Sequence, residues 1–160
     1  MIIIEREGRA SIELACESVR KADFTSLDLH RAILEGGDAG YANFSKADLR
    51  NATFDRAELV GADFQGTALM NSSFRHSKLK NCNFLGAIAV FADFSESDLA
   101  LANLSGADVA GASFEFANLC GANLGFFRWE GAIFQGALFD DKTIWPSALS
   151  PLSQGALKIG

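Results

Sequence analysis

Two histidines, three cysteines and a long series of Asp and Asn residues are the side chains of this chain that could do chemistry. His30 and His76 would act as general bases or metal ligands only beside a nucleophile or a further ligand, and neither has a cysteine next to it. Both read as solvated surface residues. Cys16, Cys82 and Cys120 are an odd number without CxxC spacing, which argues against a disulfide framework or a zinc site. Asp23, Asp48, Asp63, Asn83, Asp93, Asn103, Asp108, Asn118 and Asn123 could suggest calcium or paired-carboxylate chemistry. Their spacings are all multiples of five, however, which favours short polar side chains at outward positions bonding nearby backbone. No catalytic constellation results. The chain is read as a non-enzyme that needs no cofactor and no metal.

The same period of five governs the apolar residues, as in YANFSKADLRNATFDRAELVGADF over residues 41–64. Stepping by five from Phe24 to Phe139 gives twenty-four sites, all apolar, with Ile144 as a candidate last member. Two residues before each site stands a small residue: sixteen are Ala, and Leu27 and Phe127 are the departures. Residues two apart on an extended segment point the same way, so the small and the large residue both face inward. Each five-residue unit is then one short edge and a corner. Stacked edges about 4.8 Å apart pair backbone groups between successive coils and bury a column of side chains, which makes a β-solenoid.

The order of the large residues sets the number of sides. From Phe44 to Phe84 they alternate Phe and Leu, so a four-sided coil of twenty residues stacks like on like, whereas a three-sided coil stacks Phe on Leu. Phe54, Phe74, Phe94, Phe114 and Phe134 form one ladder. Phe44, Phe64 and Phe84 form the opposite one, continued by Leu104 and Leu124. Two Phe and two Leu per coil contribute roughly 6–12 kcal/mol before ordering entropy is subtracted. Cys82 takes an inward small-residue place, and Cys120 faces out, where it could be oxidised.

The units ANFSK, ADLRN, ATFDR, AELVG and ADFQG resemble the A(D/N)Lxx units of pentapeptide repeat proteins, over about three quarters of the chain. The resemblance implies an all-β fold, a right-handed four-sided (quadrilateral) parallel β-helix of about six coils, and a binding role in place of catalysis. The expected organisation is an N-terminal cap over residues 1–21, the β-helix over 22–144, and a C-terminal cap with an irregular tail over 145–160. In the first segment Ser11 as N-cap, with Ile12, Ala15, Cys16 and Val19 on one face, predicts a short capping helix. MIIIE before it can add a strand at the open edge. At the far end Trp145 and Pro146 mark where the last coil stops.

Repetition also fixes which outward residues lie side by side. Met70 on one coil and Ile88, Val90 and Phe91 on the next, with Ala68 and Leu85 nearby, break the polar outer pattern. Two readings stand: a protein-interaction site, or a local distortion caused by Ala89 being small for its slot. Leu101, Phe116 and Phe126 read as isolated outward apolar residues. Charge is uneven as well. Residues 1–80 carry 11 Lys or Arg and 12 Asp or Glu, and residues 81–160 carry 3 and 8. Arg75, His76, Lys78 and Lys80 form a small basic band. Beyond it, Asp93, Glu96, Asp98, Asp108 and Glu115 point outward with no basic residue between Asn81 and Phe127.

These surfaces give two functional expectations. The first is an interaction scaffold docking an unidentified protein on Met70, Ile88, Val90 and Phe91. The second comes from the resemblance: some pentapeptide repeat proteins bind DNA gyrase, a type II topoisomerase, by mimicking a duplex, and Asp93, Glu96, Asp98, Asp108 and Glu115 would be the mimicking face. A net charge of −6 is modest for that role, and neither a loop insertion nor a dimerising helix is evident. The acidic balance disfavours direct nucleic-acid binding. The opening MIIIEREGRA is too short in apolar residues for a signal sequence or a membrane span, so a cytoplasmic protein with reduced thiols is expected, as a monomer or weak dimer.

Overall fold

The computed structural model describes residues 2–14 and 18–160. Parallel bridges join residues twenty apart, from Asp23 with Asn43 through to Asn118 with Leu138, and a new bridge begins every five residues. Each unit uses its backbone in the same way. The large inward residue donates its amide up the stack, as Phe44 does to the Asp63 carbonyl at 2.7 Å, and the residue before it donates down, as Asn43 does to Ala22 at 2.9 Å. The small inward residue turns its amide back within the coil, as Ala47 does to the Phe44 carbonyl at 3.0 Å. That last bond closes a β-turn, and the turn's third residue has positive φ. Every fifth residue from Lys21 to Gly136 adopts this left-handed conformation, position 126 alone excepted.

Inside the corners the aromatic ladders stack. The rings of Phe54 and Phe74 lie 4.8 Å apart and within 1° of parallel, and Phe64 and Phe84 repeat this at 4.8 Å and 3°. Between the two ladders the rings meet edge to face, Phe54 against Phe64 at 5.9 Å and 89°. Phe44, Phe54, Phe64, Phe74, Phe84, Phe94, Phe114 and Phe134 are all buried, as the five-residue period predicts. Polar residues in the small inward places are satisfied there. The hydroxyls of Ser72, Ser77 and Ser97 donate to the carbonyls of Leu69, Phe74 and Phe94, and the Cys82 thiol donates to the Leu59 carbonyl at 3.0 Å.

One departure in the repeat changes the wall. Phe127 is too large for the small inward place, so it turns out and is 75% exposed, while Phe126 turns in to 6% exposure and packs between Phe114 and Phe134. Phe126 is therefore a core residue, not an isolated outward one. Its backbone makes a tight bond to the Leu124 carbonyl in place of the left-handed corner.

The strand expected from MIIIE at the open edge is present, but both ends otherwise differ from expectation. Residues 11–14 of the expected capping helix belong to a strand, and the rest of that helix reaches residues 15–17, which lie outside the described residues. Strand β1 (Ile2–Arg6) pairs antiparallel with β2 (Arg9–Leu14), Ile4 opposite Ile12. Three successive β-branched residues favour extended backbone, and Gly8 at φ 66° closes the turn, so strand propensity overrides the helical spacing of Ile12, Ala15, Cys16 and Val19. Strand β1 covers the open edge of the first coil, Ile33 donating to the Glu5 carbonyl at 2.8 Å and Glu7 to Arg31 at 3.0 Å.

At the other end one residue is inserted, so Ile144 bridges Asn123, twenty-one residues earlier. Ile144 falls in the outward place, 57% exposed, and Trp145 takes the inward one against Phe134 and Phe139. The last large site is thus Trp145 and not Ile144. The tail is ordered too: a 3-10 turn at Leu152–Gln154 leads into β4 (Leu157–Lys158), parallel to β3 (Leu138–Phe139).

The register makes a stability prediction. Phe74→Asp removes a stacked ring and buries a charge, so its loss in urea unfolding exceeds the roughly 3–5 kcal/mol typical of Phe→Ala in a core. Ala112→Leu overfills an inward small-residue place and costs about 1–3 kcal/mol. Wild-type unfolding of both variants would contradict the register.

Candidate interaction surface

Since the interior is filled by the repeat, chemistry is confined to the outer faces, and the Asp and Asn series is the first test of them. All nine of these residues accept a hydrogen bond from the amide two residues on, for example Asp63 Oδ1 from Gln65 at 2.9 Å and Asn103 Oδ1 from Ser105 at 3.2 Å. The remaining bonds are Asp23 with Thr25, Asp48 with Arg50, Asn83 with Leu85, Asp93 with Ser95, Asp108 with Ala110, Asn118 with Cys120 and Asn123 with Gly125. This amide is the one that neither the turn nor the ladder uses. The series caps backbone.

The acidic residues beyond Asn81 are neither gathered on one face nor free of partners. Asp93 and Glu115 share a face, Glu96 stands at the corner beside it, and Asp98 lies on the next. Asp108 is on a different face and pairs with Arg128 from the coil above, Nη2 to Oδ2 at 2.6 Å. From the coil below, Arg75 lies 3.8 Å from Asp93, and His76 Nδ1 lies 3.3 Å from Glu96. Asp98 accepts from Asn118 Nδ2 at 2.9 Å. Of the basic band, Lys78 is held by Glu58 at 2.6 Å. His30 sits apart, between Arg9 and Asn51. Among the described residues no three His, Cys, Asp or Glu side chains come together as a metal site, and no helix is long and apolar enough to cross a membrane.

The apolar residues do converge. Ala68 bridges Ile88, which places Met70 beside Val90 on adjacent coils of one face, with Phe91 at its corner. Ile88 is 44% and Phe91 66% exposed, Met70 and Val90 are half-buried, and Leu85 is exposed on the neighbouring face. Ala89 is fully buried and keeps its ladder bond to the Asp108 carbonyl at 2.7 Å and the turn bond from Ala92 at 3.1 Å, so the backbone is regular here. Sequence reading missed one support for Phe91. Its ring lies against Gly111 of the next coil, where a β-carbon would come within 2.4 Å of it. Leu101 over Gly121 and Phe116 over Gly136 repeat the arrangement, a spacing of twenty from apolar corner to glycine that was there to be read.

The profile of the family described as Pentapeptide repeats matches this chain in 8 copies, over residues 40–75, 69–106 and 97–141. The chain belongs to the pentapeptide repeat family. Its solenoid is the right-handed β-helix of these proteins. Among solved structures, a trypsin-treated form of QnrB1, a plasmid-mediated fluoroquinolone resistance protein, is 25% identical with a TM-score of 0.52, covering 86% of this chain and 77% of that one. HetL, involved in heterocyst differentiation regulation in the cyanobacterium Nostoc sp. strain PCC 7120, is 22% identical with a TM-score of 0.36, covering 86% and 81%. No curated protein matches the chain.

The capped carboxylates set the acid response of this pentapeptide repeat protein. The Arg50 guanidinium holds the Asp48 carboxyl below its ordinary value of 3.8, and the Gly121 amide does the same for Asp140. The Thr25 hydroxyl lowers Asp23, and the Gly40 amide lowers Asp38. A lowered carboxylate contributes stability that is whole above 3.8 and is lost as the pH falls through the folded-state value. The unfolding midpoint is therefore expected to stay level from these groups down to about pH 5 and to drop below about pH 4. Thiol labelling separates the cysteines: burial pushes Cys82 up to about 12, so iodoacetamide reaches it only on unfolding, whereas half-buried Cys120, raised less by burial, labels in the folded protein.

Proposed function

We propose that this protein is a non-catalytic interaction scaffold, a four-sided rod of about six coils working in the cytoplasm. Its protein partner docks on Met70, Ile88, Val90 and Phe91. One observation carries this reading: on that face the capping Asp or Asn is replaced by Ala68 and Ile88, and two adjacent coils together expose an apolar surface on regular backbone. Contiguous exposed apolar area on a protein with a complete core is a feature of interfaces. Surface apolar contacts of this kind supply affinity through a few aromatic or aliphatic anchors, and Phe91, propped on Gly111, is such an anchor.

A second reading rests on the likeness to QnrB1: protection of DNA gyrase by a duplex-like acidic surface, carried by Asp93, Glu96, Asp98, Asp108 and Glu115. The pairing of Asp108 with Arg128 and of Asp93 with Arg75 weakens the field such a surface needs.

The Val90→Asp/Phe91→Glu double variant separates the two. Glu96 already occupies an equivalent left-handed corner, so a Glu at position 91 adds no new backbone demand and the melting temperature stays near wild type. Capture of a partner from lysate with wild type and its loss with the variant supports the apolar site. Gyrase bound equally by both proteins, and released as salt rises from 0.05 to about 0.5 M, supports the second reading.

A further inference from the structure

The solenoid ends unevenly. In the coil below the last, the upward-facing groups are all used: Val109, Gly111 and Phe114 donate to the carbonyls of Arg128, Glu130 and Ile133 at 2.8, 2.9 and 2.8 Å. The carbonyls of Ala107 and Ala112 accept from Phe127 and Ile133 at 2.8 and 2.9 Å. Twenty residues later the equivalent groups are the amides of Trp129, Gly131 and Phe134 and the carbonyls of Phe127 and Ala132. Among the described residues none of the five has a hydrogen-bond partner. On the adjoining face the ladder goes on, with Gly136 donating to Gly155 at 2.9 Å and Leu157 to Ala137 at 2.8 Å.

The tail crosses this edge without completing it. Leu149, twenty residues after Trp129, is buried and closes the core, but its amide bonds to Pro146 within the tail. Between edge and tail lies a pocket of about 350 Å³ lined by Trp129, Glu130, Phe134, Leu149, Ser150 and Ser153, among others. Trp145, packed on Phe134, has a buried Nε1–H without an acceptor at the same end.

We propose that this slot binds an extended peptide segment of a partner protein, added as the next parallel strand of the ladder, with a Lys or Arg side chain meeting Glu130. Three observations select that occupant. On one edge the free Phe127 carbonyl and the Trp129 and Gly131 amides have the order that Ala107, Val109 and Gly111 offer to the coil above them, which is the requirement for strand addition. The pocket of about 350 Å³ between edge and tail lies against these groups. Among the described residues Glu130 is the only charged side chain lining the slot and makes no ion pair, the neighbouring Arg128 being held by Asp108.

The test is amide exchange and chemical-shift titration by NMR on the full chain. The probes are the capped peptide Thr-Val-Lys-Val-Thr and its Glu-centred counterpart. In the free protein Trp129, Gly131 and Phe134 should exchange at least about tenfold faster than Val109, Gly111 and Phe114. The Lys peptide slows Trp129 and Gly131 and leaves Gly136 unchanged. The Glu peptide binds about two- to fivefold more weakly, and Glu130→Lys reverses the order. Ser153→Trp, at an exposed position, fills the slot and removes binding without lowering the melting temperature. Protection of the three amides equal to their counterparts in the free protein would overturn the proposal, as would peptide-induced shifts confined to other sites. Protection that grows with protein concentration without peptide would assign the edge to a second copy, and it too would overturn the proposal.

Discussion

Everything in this molecule depends on placing one residue in five in the left-handed backbone region. Fourteen of the positive-φ positions carry residues other than glycine, among them Arg31, Lys46, Phe91 and Leu101. Such residues resist that conformation by about 1 kcal/mol or more each, so an isolated coil would not hold it. The stack holds it: each of these fourteen corners donates its amide to a carbonyl of the coil above, and the following residue closes the turn. Alanine at sixteen of the twenty-four places two before a large residue is the consequence, since a small side chain fits best where the chain has just turned. Phe127 shows what happens otherwise. It is expelled, Phe126 enters, and the left-handed corner is lost at that one place.

The same constraint shapes what the surface can do. Turning the chain every five residues leaves one amide per unit outside both turn and ladder, and where Asp or Asn precedes the large residue, as at Asp63 and Asn103, its side chain takes it. Carboxylates so engaged are structural, which is why a negatively charged sequence does not make a free acidic surface. Where Ala68 and Ile88 stand in that place instead, no side chain caps the amides of Met70 and Val90, and the face turns apolar over two coils. The C-terminal end offers a second kind of opportunity, an interrupted ladder whose backbone groups remain available.

The repeat was legible because its period exceeds chance many times over: the buried Phe ladders, the inward Ala and the capping Asp and Asn all follow from spacing. The ends were legible only in part, the edge strand from MIIIE but not its pairing with residues 9–14, because nothing repeats there. Ile12, Ala15, Cys16 and Val19 have helical spacing, yet the Ile2–Ile4 run and Gly8 make a hairpin that the open edge of the first coil stabilises. The single inserted residue that puts Trp145, and not Ile144, into the core leaves no trace in the spacing before it. Ion pairing was also hidden, because Arg75 and Arg128 reach Asp93 and Asp108 from coils about twenty residues away in sequence.

The central claim is that twenty residues form one interchangeable coil, held by like stacking on like. Deleting residues 65–84 removes one coil and stacks the Phe64 unit directly beneath Asn103 and Leu104, whereas deleting residues 65–79 removes fifteen residues and places the Phe and Leu ladders out of step. Urea unfolding followed by far-UV circular dichroism compares the two. The account predicts a cooperative transition with a smaller denaturant slope for the twenty-residue deletion, and no cooperative fold for the fifteen-residue one. Equal cooperativity in both would contradict it.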